Sequence, residues 1–297
     1  MFSKLSFIRF SIGLQLLVVA LTSCNTDLSS QDGLVPKDEE SAKFKDSDRY
    51  NFSQPYVINL PPTLDEISGI AYYDKDTSVF AIVDEEALLY KIRLNQPKNI
   101  QQWAFGKAND YEDILLKDSV FFVLTSDGSV RSLQFNGKDI ITKKYEFITG
   151  EKKKKNEFES MYVDSGQVII LCKDCDADKK IKTSRFALDS LNGQFQEVEP
   201  VHNAAVAKMV EENKIQLKAS AAGINPVTGE LYVISAVNKS LYIFDAMLNP
   251  TEVYELNPKI YKQPEGLTFT PGGDLIISNE VYLEGNPTIL VLKNKKK

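Results

Sequence analysis

Ser68-Gly69-Ile70-Ala71, followed by the apolar run at 79–83, is the stretch that decides the fold, because the chain returns to its pattern four more times. The later openings are Glu112-Asp113-Ile114-Leu115, Glu159-Ser160-Met161-Tyr162, Ala222-Gly223-Ile224-Asn225 and Glu265-Gly266-Leu267-Thr268. Each precedes a second apolar run, at 120–124, 168–171, 231–234 and 275–277. Counted from the opening residue, the second run ends fourteen positions on at Ser126, Lys173, Ala236 and Asn279, and sixteen on at Asp84. Openings spaced by 44, 47, 63 and 43 residues, with strands between them, mark one supersecondary unit repeated as propeller blades. A β-sandwich does not repeat with a fixed offset inside a fixed period.

Working outward, each unit offers a third strand (88–94, 130–135, 184–188, 240–244, 288–292). Most offer a fourth (100–105, 140–147, 194–198, 252–256). The fifth unit lacks its fourth strand, while 56–60 is spare ahead of the first opening. That strand is expected to complete the last blade and lock the ring, leaving no long unpaired edge. Asp127-Gly128, Asn136-Gly137, Asn192-Gly193 and Thr228-Gly229 fall between apolar runs, where hairpins need positive φ. The wide spacing holds an insertion at 200–214 with helical periodicity, in Ala204, Ala205, Val206, Met209 and Val210. The reading is an all-β, five-bladed β-propeller of four-stranded antiparallel blades with a short helical insertion; six blades would require that insertion to hide one.

Ahead of the repeats the composition changes. Lys4 and Arg9 precede an apolar run at 12–21, too short to span a bilayer as a mature helix, which reads as an export signal over 1–23. Leu21-Thr22-Ser23-Cys24 resembles a bacterial lipoprotein signal, which makes Cys24 the expected lipidation site and new N-terminus. Residues 24–50 are polar and charged and read as a flexible tether before a propeller domain at 51–297. The expected location is the bacterial envelope, anchored by lipid without spanning the membrane. Asn25 after the cysteine is compatible with outer-membrane sorting, facing the periplasm or the cell surface. Losing Lys4 and Arg9 takes the formal charge from −6 to −8, which argues against a nucleic-acid partner.

Cys172 and Cys175 are the cysteines left after Cys24, and His202 is the lone histidine, so a zinc site is disfavoured. In an exported protein a local disulfide across the turn comes first, ahead of two free thiols and of redox chemistry.

In a propeller the start of each first strand and the end of each second strand meet at one mouth of the central channel. That geometry gathers Glu112, Glu159 and Glu265 with Asp84, Ser126, Lys173 and Asn279; Glu85 and Glu280 border the same mouth. Strand alternation adds Glu66, Asp110, Glu157 and Gln263. Converging carboxylates repel unless a cation, raised pKa values or a neighbouring lysine offsets them, and Lys173 is a candidate internal counter-charge. Oxygen-only donors favour a hard cation, calcium before magnesium. A purely structural role for these acids stands beside the cation or small-polar-ligand reading, and catalysis behind both. There is no Gly-x-Ser-x-Gly elbow, and His202 falls in the insertion, although a carboxylate-held metal could still activate water.

Leu64-Asp65-Glu66-Ile67-Ser68-Gly69-Ile70-Ala71-Tyr72, with Phe80-Ala81-Ile82-Val83-Asp84-Glu85, resembles the opening of the SdiA-regulated family. So do Phe158-Glu159-Ser160-Met161-Tyr162, Gln263-Pro264-Glu265-Gly266-Leu267-Thr268-Phe269 and Ile277-Ser278-Asn279-Glu280. The resemblance implies an exported or membrane-attached propeller without an established activity, similar to phytase-like esterases and to calcium-dependent lactonase propellers. It supports a cation at Glu66, Glu112, Glu159 and Glu265, with Ala222 breaking the ring in the fourth blade. The expectation is a lipid-anchored binding module for calcium or a small polar ligand. A metal-dependent hydrolase of phosphoesters, carboxylesters or lactones using the same carboxylates is the alternative, as is a scaffold for another envelope protein.

Overall fold

The computed structural model describes residues 32–36, 43–148, 155–212, 215–281 and 283–296. The expected signal at 1–23 and Cys24 lie outside them. Two strands, β1 (Gly33–Leu34) and β2 (Tyr56–Asn59), precede the repeats. Blade one is β3 (Ile67–Tyr73), β4 (Ser78–Val83), β5 (Leu88–Arg93) and β6 (Gln96–Ala104). Blade two is β7 (Tyr111–Lys117), β8 (Val120–Thr125), β9 (Val130–Asn136) and β10 (Asp139–Tyr145). Blade three is β11 (Asn156–Asp164), β12 (Gln167–Cys175), β13 (Lys182–Asp189) and β14 (Gln194–His202). Then come α1 (Asn203–Met209) and blade four: β15 (Ala221–Ile224), β16 (Leu231–Ser235), β17 (Ser240–Phe244) and β18 (Pro250–Glu255). Blade five is β19 (Pro264–Phe269), β20 (Leu275–Asn279) and β21 (Thr288–Leu292), completed by β2 and edged by β1.

The five first strands form the inner ring, each beside the next and β19 beside β3. Every blade is antiparallel in simple chain order, except that β2 pairs with β21, Tyr56 opposite Val291 and Asn59 opposite Thr288. The protein is therefore a five-bladed β-propeller, and the insertion holds one short helix among the described residues. His202 just before it is exposed, ends β14 opposite Lys182, and turns its ring to Glu199 at 3.4 Å.

Alternation puts one apolar face of each blade against the next, so the core divides into five clusters, one per blade junction. Ile82, Leu89, Ile114 and Val123 join blades one and two; Leu124, Phe158 and Ile170 join two and three. Leu171, Val201 and Val233 join three and four; Tyr232, Leu267 and Leu275 join four and five; Ile58, Ile67 and Ile276 join five and one. Each such buried side chain contributes roughly 1.5–3 kcal/mol. At the hub the inner strands come close enough to exclude side chains: a Cβ on Gly69 would stand 2.4 Å from an Asp113 oxygen.

The fold starts earlier than the composition predicts, so the expected tether over 24–50 is too long. β1 pairs with β2 through Gly33–Val57 and Leu34–Tyr56, and Val35, Ser47 and Tyr50 are buried. Tyr50 enters the junction of blades four and five, where its hydroxyl donates to the Gly273 carbonyl at 2.6 Å and accepts from Asn225 Nδ2 at 3.0 Å. A polar segment can therefore be ordered by a few aromatic anchors, here Tyr50 and Phe52. Among the described residues no helix is long and apolar enough to cross a membrane.

Candidate functional site

The acidic openings do not sit in regular strand. Tyr111 pairs with Thr125 and Asp113 with Leu124, leaving Glu112 as an extra residue. Glu159 is skipped in the same way between the Phe158–Cys172 and Ser160–Leu171 pairs, and Glu265 between Pro264–Asn279 and Gly266–Ser278. Blade one skips Ser68 and Gly69 at the same height, between Ile67–Val83 and Ile70–Ala81. Blade four runs in unbroken register through Ala222. A β-bulge breaks alternation and re-aims its extra side chain. Four blades out of five thus share one backbone device at one height, and three of them place a glutamate on it.

Backbone bonds between blades hold the second strands beside these bulges. The Asp84 carbonyl accepts from Tyr111 N at 2.9 Å, the Ser126 carbonyl from Phe158 N at 3.0 Å, and the Asp65 carbonyl from Val281 N at 2.9 Å. The acids are electrostatically one group. Burial, then Asp110 and Asp84, push Glu112 up to about 9, with Lys173 opposing and Glu265 adding to the rise. Burial lifts Glu265 to about 7 against the pull of Lys173 and Lys239. Asp84 rises to about 7 through burial and its hydrogen bond with Asp110, with Glu66 and Glu85 adding. Glu280 is raised by burial and by Glu66. Gln263 donates to Glu280, and Ser126 to Asp110.

Lys173 lies at the centre. Its ammonium pairs with buried Glu159, stands 3.9 Å from Glu157, and acts on Glu112, Glu265 and Glu280. Glu159 Oε2 and Asp84 Oδ1 are buried without a hydrogen-bond partner. Sequence reasoning missed Lys239 of blade four, whose pKa burial lowers although Glu265 opposes the fall; it donates to the Lys262 carbonyl at 2.6 Å. Its signal was available: the blade without an acidic opening carries a lysine just past its second strand. Asp113, next to Glu112, was missed as a buried carboxylate because it reads as part of the strand. It is fully buried, its carboxylate accepting from Met161 N at 2.7 Å across the hub, and burial raises its pKa.

The predicted residues divide. Asp84, Glu112, Lys173, Glu265 and Glu280 are joined at the mouth, with Glu66, Glu85 and Ser126 at its rim. Asn279 is turned inward, its amide donating to Ile260 O at 3.2 Å and Thr288 Oγ1 at 3.1 Å inside blade five. The Glu66, Glu112, Glu159, Glu265 set is not a ready coordination shell. Among the described residues, the one trio of His, Cys, Asp or Glu ligand atoms within 4.8 Å of one another is Cys172, Cys175 and Asp178. Those cysteines form a disulfide, and Asp178 accepts from Ser184 N at 3.0 Å. At the opposite mouth the channel holds a cavity of about 240 Å³ lined by Tyr72, Leu116, Val163, Ile224 and Phe269.

A model of the family described as SdiA-regulated matches residues 50–283, most of the chain. Among solved structures, glutaminyl cyclase of Myxococcus xanthus superposes with a TM-score of 0.56 at 12% identity, covering 80% of this chain and 94% of that one. A luciferin-regenerating enzyme gives 0.50 at 11% identity, covering 82% and 96%. Regucalcin of Agrobacterium tumefaciens strain C58, described as a calcium-binding protein, gives 0.49 at 11% identity, covering 81% and 93%. At such identities the likeness is one of fold alone. No curated protein matches the sequence.

Proposed function

The chain belongs to the SdiA-regulated family, and on that premise we propose that it is a lipid-anchored binding module of the bacterial envelope that takes a cation, calcium first, at the acidic mouth of its channel. One observation carries the reading: two carboxylate oxygens of the cluster, Asp84 Oδ1 and Glu159 Oε2, are buried without a partner, and burial with neighbouring carboxylates raises Glu112, Glu265 and Asp84 to about 9, 7 and 7. The donors fit a hard cation in kind, being all oxygen, and two of their buried oxygens have no partner. They do not fit it in spacing as they stand, since among the described residues no three of these acids bring ligand oxygens within 4.8 Å of one another. Glu112, Glu159, Glu265 and Asp84 would hold the ion, and the acids with raised pKa would give up their protons to it.

Calcium titration of the chelator-treated protein at pH 8, followed by thermal melting, tests this. A ligand at a hundred times its Kd stabilises by about 2.7 kcal/mol, which raises the midpoint of a domain this size by roughly 5–10 °C. Glu112→Gln with Glu159→Gln should abolish the rise. No shift at ~10 mM calcium, beyond the weakest extracellular calcium sites, would end the reading. Anchoring is tested separately: Cys24→Ser should move the protein from the membrane to the soluble fraction.

A further inference from the structure

Between its first two strands blade three carries a second bulge, which no other blade has at that place. Glu157 pairs with Asp174 and Phe158 with Cys172, so Lys173 is itself an extra residue, on β12. The Phe158–Cys172 pair therefore separates two bulges on facing strands, and their side chains, Lys173 and Glu159, meet as an ion pair. The Cys172–Cys175 disulfide closes the loop that contains Lys173, with its Cα atoms 6.1 Å apart and both cysteines buried. On the other side Asp174 accepts from Gln216 at 3.3 Å and pairs with Lys218 at 3.5 Å. A disulfide spanning so few residues removes far less chain entropy than one closing a long loop. Its main effect is local: it fixes the backbone that aims Lys173.

We propose that the Cys172–Cys175 disulfide is a redox clamp on the mouth's own cation, aiming Lys173 at Glu159 when intact and releasing it when reduced, which opens the acids to an external cation. The clamp rests on the register, the ion pair and the disulfide; its consequence for binding rests on the cation reading above. A dithiol supplies the chemistry: it gives two electrons and two protons, the protein disulfide becomes two thiols, and the dithiol closes to its own disulfide. With Lys173 displaced, Glu159 loses its partner and the neighbouring acids lose their nearest positive charge.

Two measurements on the full-length protein in detergent separate the clamp from the cation reading. The first is acetylation of lysines by an active ester, followed residue by residue by mass spectrometry, with circular dichroism confirming that the reduced protein stays folded. Reduction with dithiothreitol should speed modification of Lys173 about tenfold, as local release does, while Lys239 at the same mouth keeps its rate. Equal Lys173 rates in the two states, or an equal rise at Lys239, overturn the clamp whatever calcium does. The second is calcium affinity. The reduced protein and Cys172→Ser/Cys175→Ser should bind about tenfold tighter than the oxidised form, within the usual range of coupling between sites. Lys173→Met should make the two redox states alike. Release of Lys173 with no calcium binding in either state would leave the clamp standing and refute the cation reading. Release with calcium affinity unchanged between the states would refute the clamp's role in binding.

Discussion

Replacing Glu112 by glutamine should flatten the dependence of stability on pH above neutrality. The folded protein holds a proton on this carboxyl up to about 9, whereas the unfolded chain releases it near the ordinary value of 4.5. Between those limits the native state binds more protons than the unfolded one, so stability is greatest at the acid end and is lost as pH rises. Asp84 and Glu265, at about 7, contribute the same sign of slope but are spent above neutrality. From pH 7.5 to 8.5 Glu112 supplies about 1.4 kcal/mol per pH unit for its one proton, a part of the slope that the glutamine variant lacks while buried Asp113 acts equally in both proteins. In a domain of this size that is a fall of roughly 3–5 °C in Tm. Glutamine keeps the shape and hydrogen bonding of the protonated acid, so the variant should match the wild type near pH 4.5 and exceed it by a margin that grows as the pH rises to 8.5. Urea denaturation in chelator-containing buffer at half-unit pH steps measures both slopes. Parallel curves, or wild-type stability that rises with pH in this window, would refute a buried proton at the hub.

Other consequences are sharper but narrower. Gly69→Ala should destabilise by about 3 kcal/mol or more, since its Cβ meets the Asp113 carboxylate and the Ile114 amide nitrogen at 2.4 Å, contacts neither strand can relieve cheaply; a wild-type melting point would contradict the hub packing. Tyr50→Phe leaves the Gly273 carbonyl and the Asn225 amide without their buried partner, at a cost of about 1–3 kcal/mol. Tyr50→Ala should cost more, about 3–5 kcal/mol, and truncation before residue 51 should be as damaging; neither effect exists if 32–50 is a tether. Phosphoester, carboxylester and lactone substrates supplied with calcium should show no turnover above that of the Glu112→Gln, Glu159→Gln double variant. Turnover lost only in the double variant would restore the hydrolase alternative.

Much of this architecture was legible because a propeller repeats its side-chain pattern with its backbone. Ile70, Ile114, Met161, Ile224 and Leu267 stand at equivalent places because each inner strand meets the same neighbours, and the offset to the second strand follows from hairpin length. The site was legible only as a neighbourhood. Strand alternation was assumed across the openings, and the bulges at Glu112, Glu159 and Glu265 break it without any mark in composition. Asn279 shows the same limit: its place at a second-strand end is as the period requires, yet Ile260 and Thr288 turn its amide inward. Residues 43–50 were misjudged because composition averages over a stretch, whereas two rings, Tyr50 and Phe52, decide where they go.

The pairing of β2 with β21 has a consequence for how the molecule is made. Tyr56 emerges early with Leu34 to one side, but its partner on the other side, Val291, is synthesised more than two hundred residues later. No circle of blades can be shut while the chain is still growing, so the final cooperative step belongs to the finished polypeptide, and such distant pairings are slow to form. A chain threaded across a membrane in extended form meets that condition naturally, since its earliest and latest segments become neighbours only on the far side.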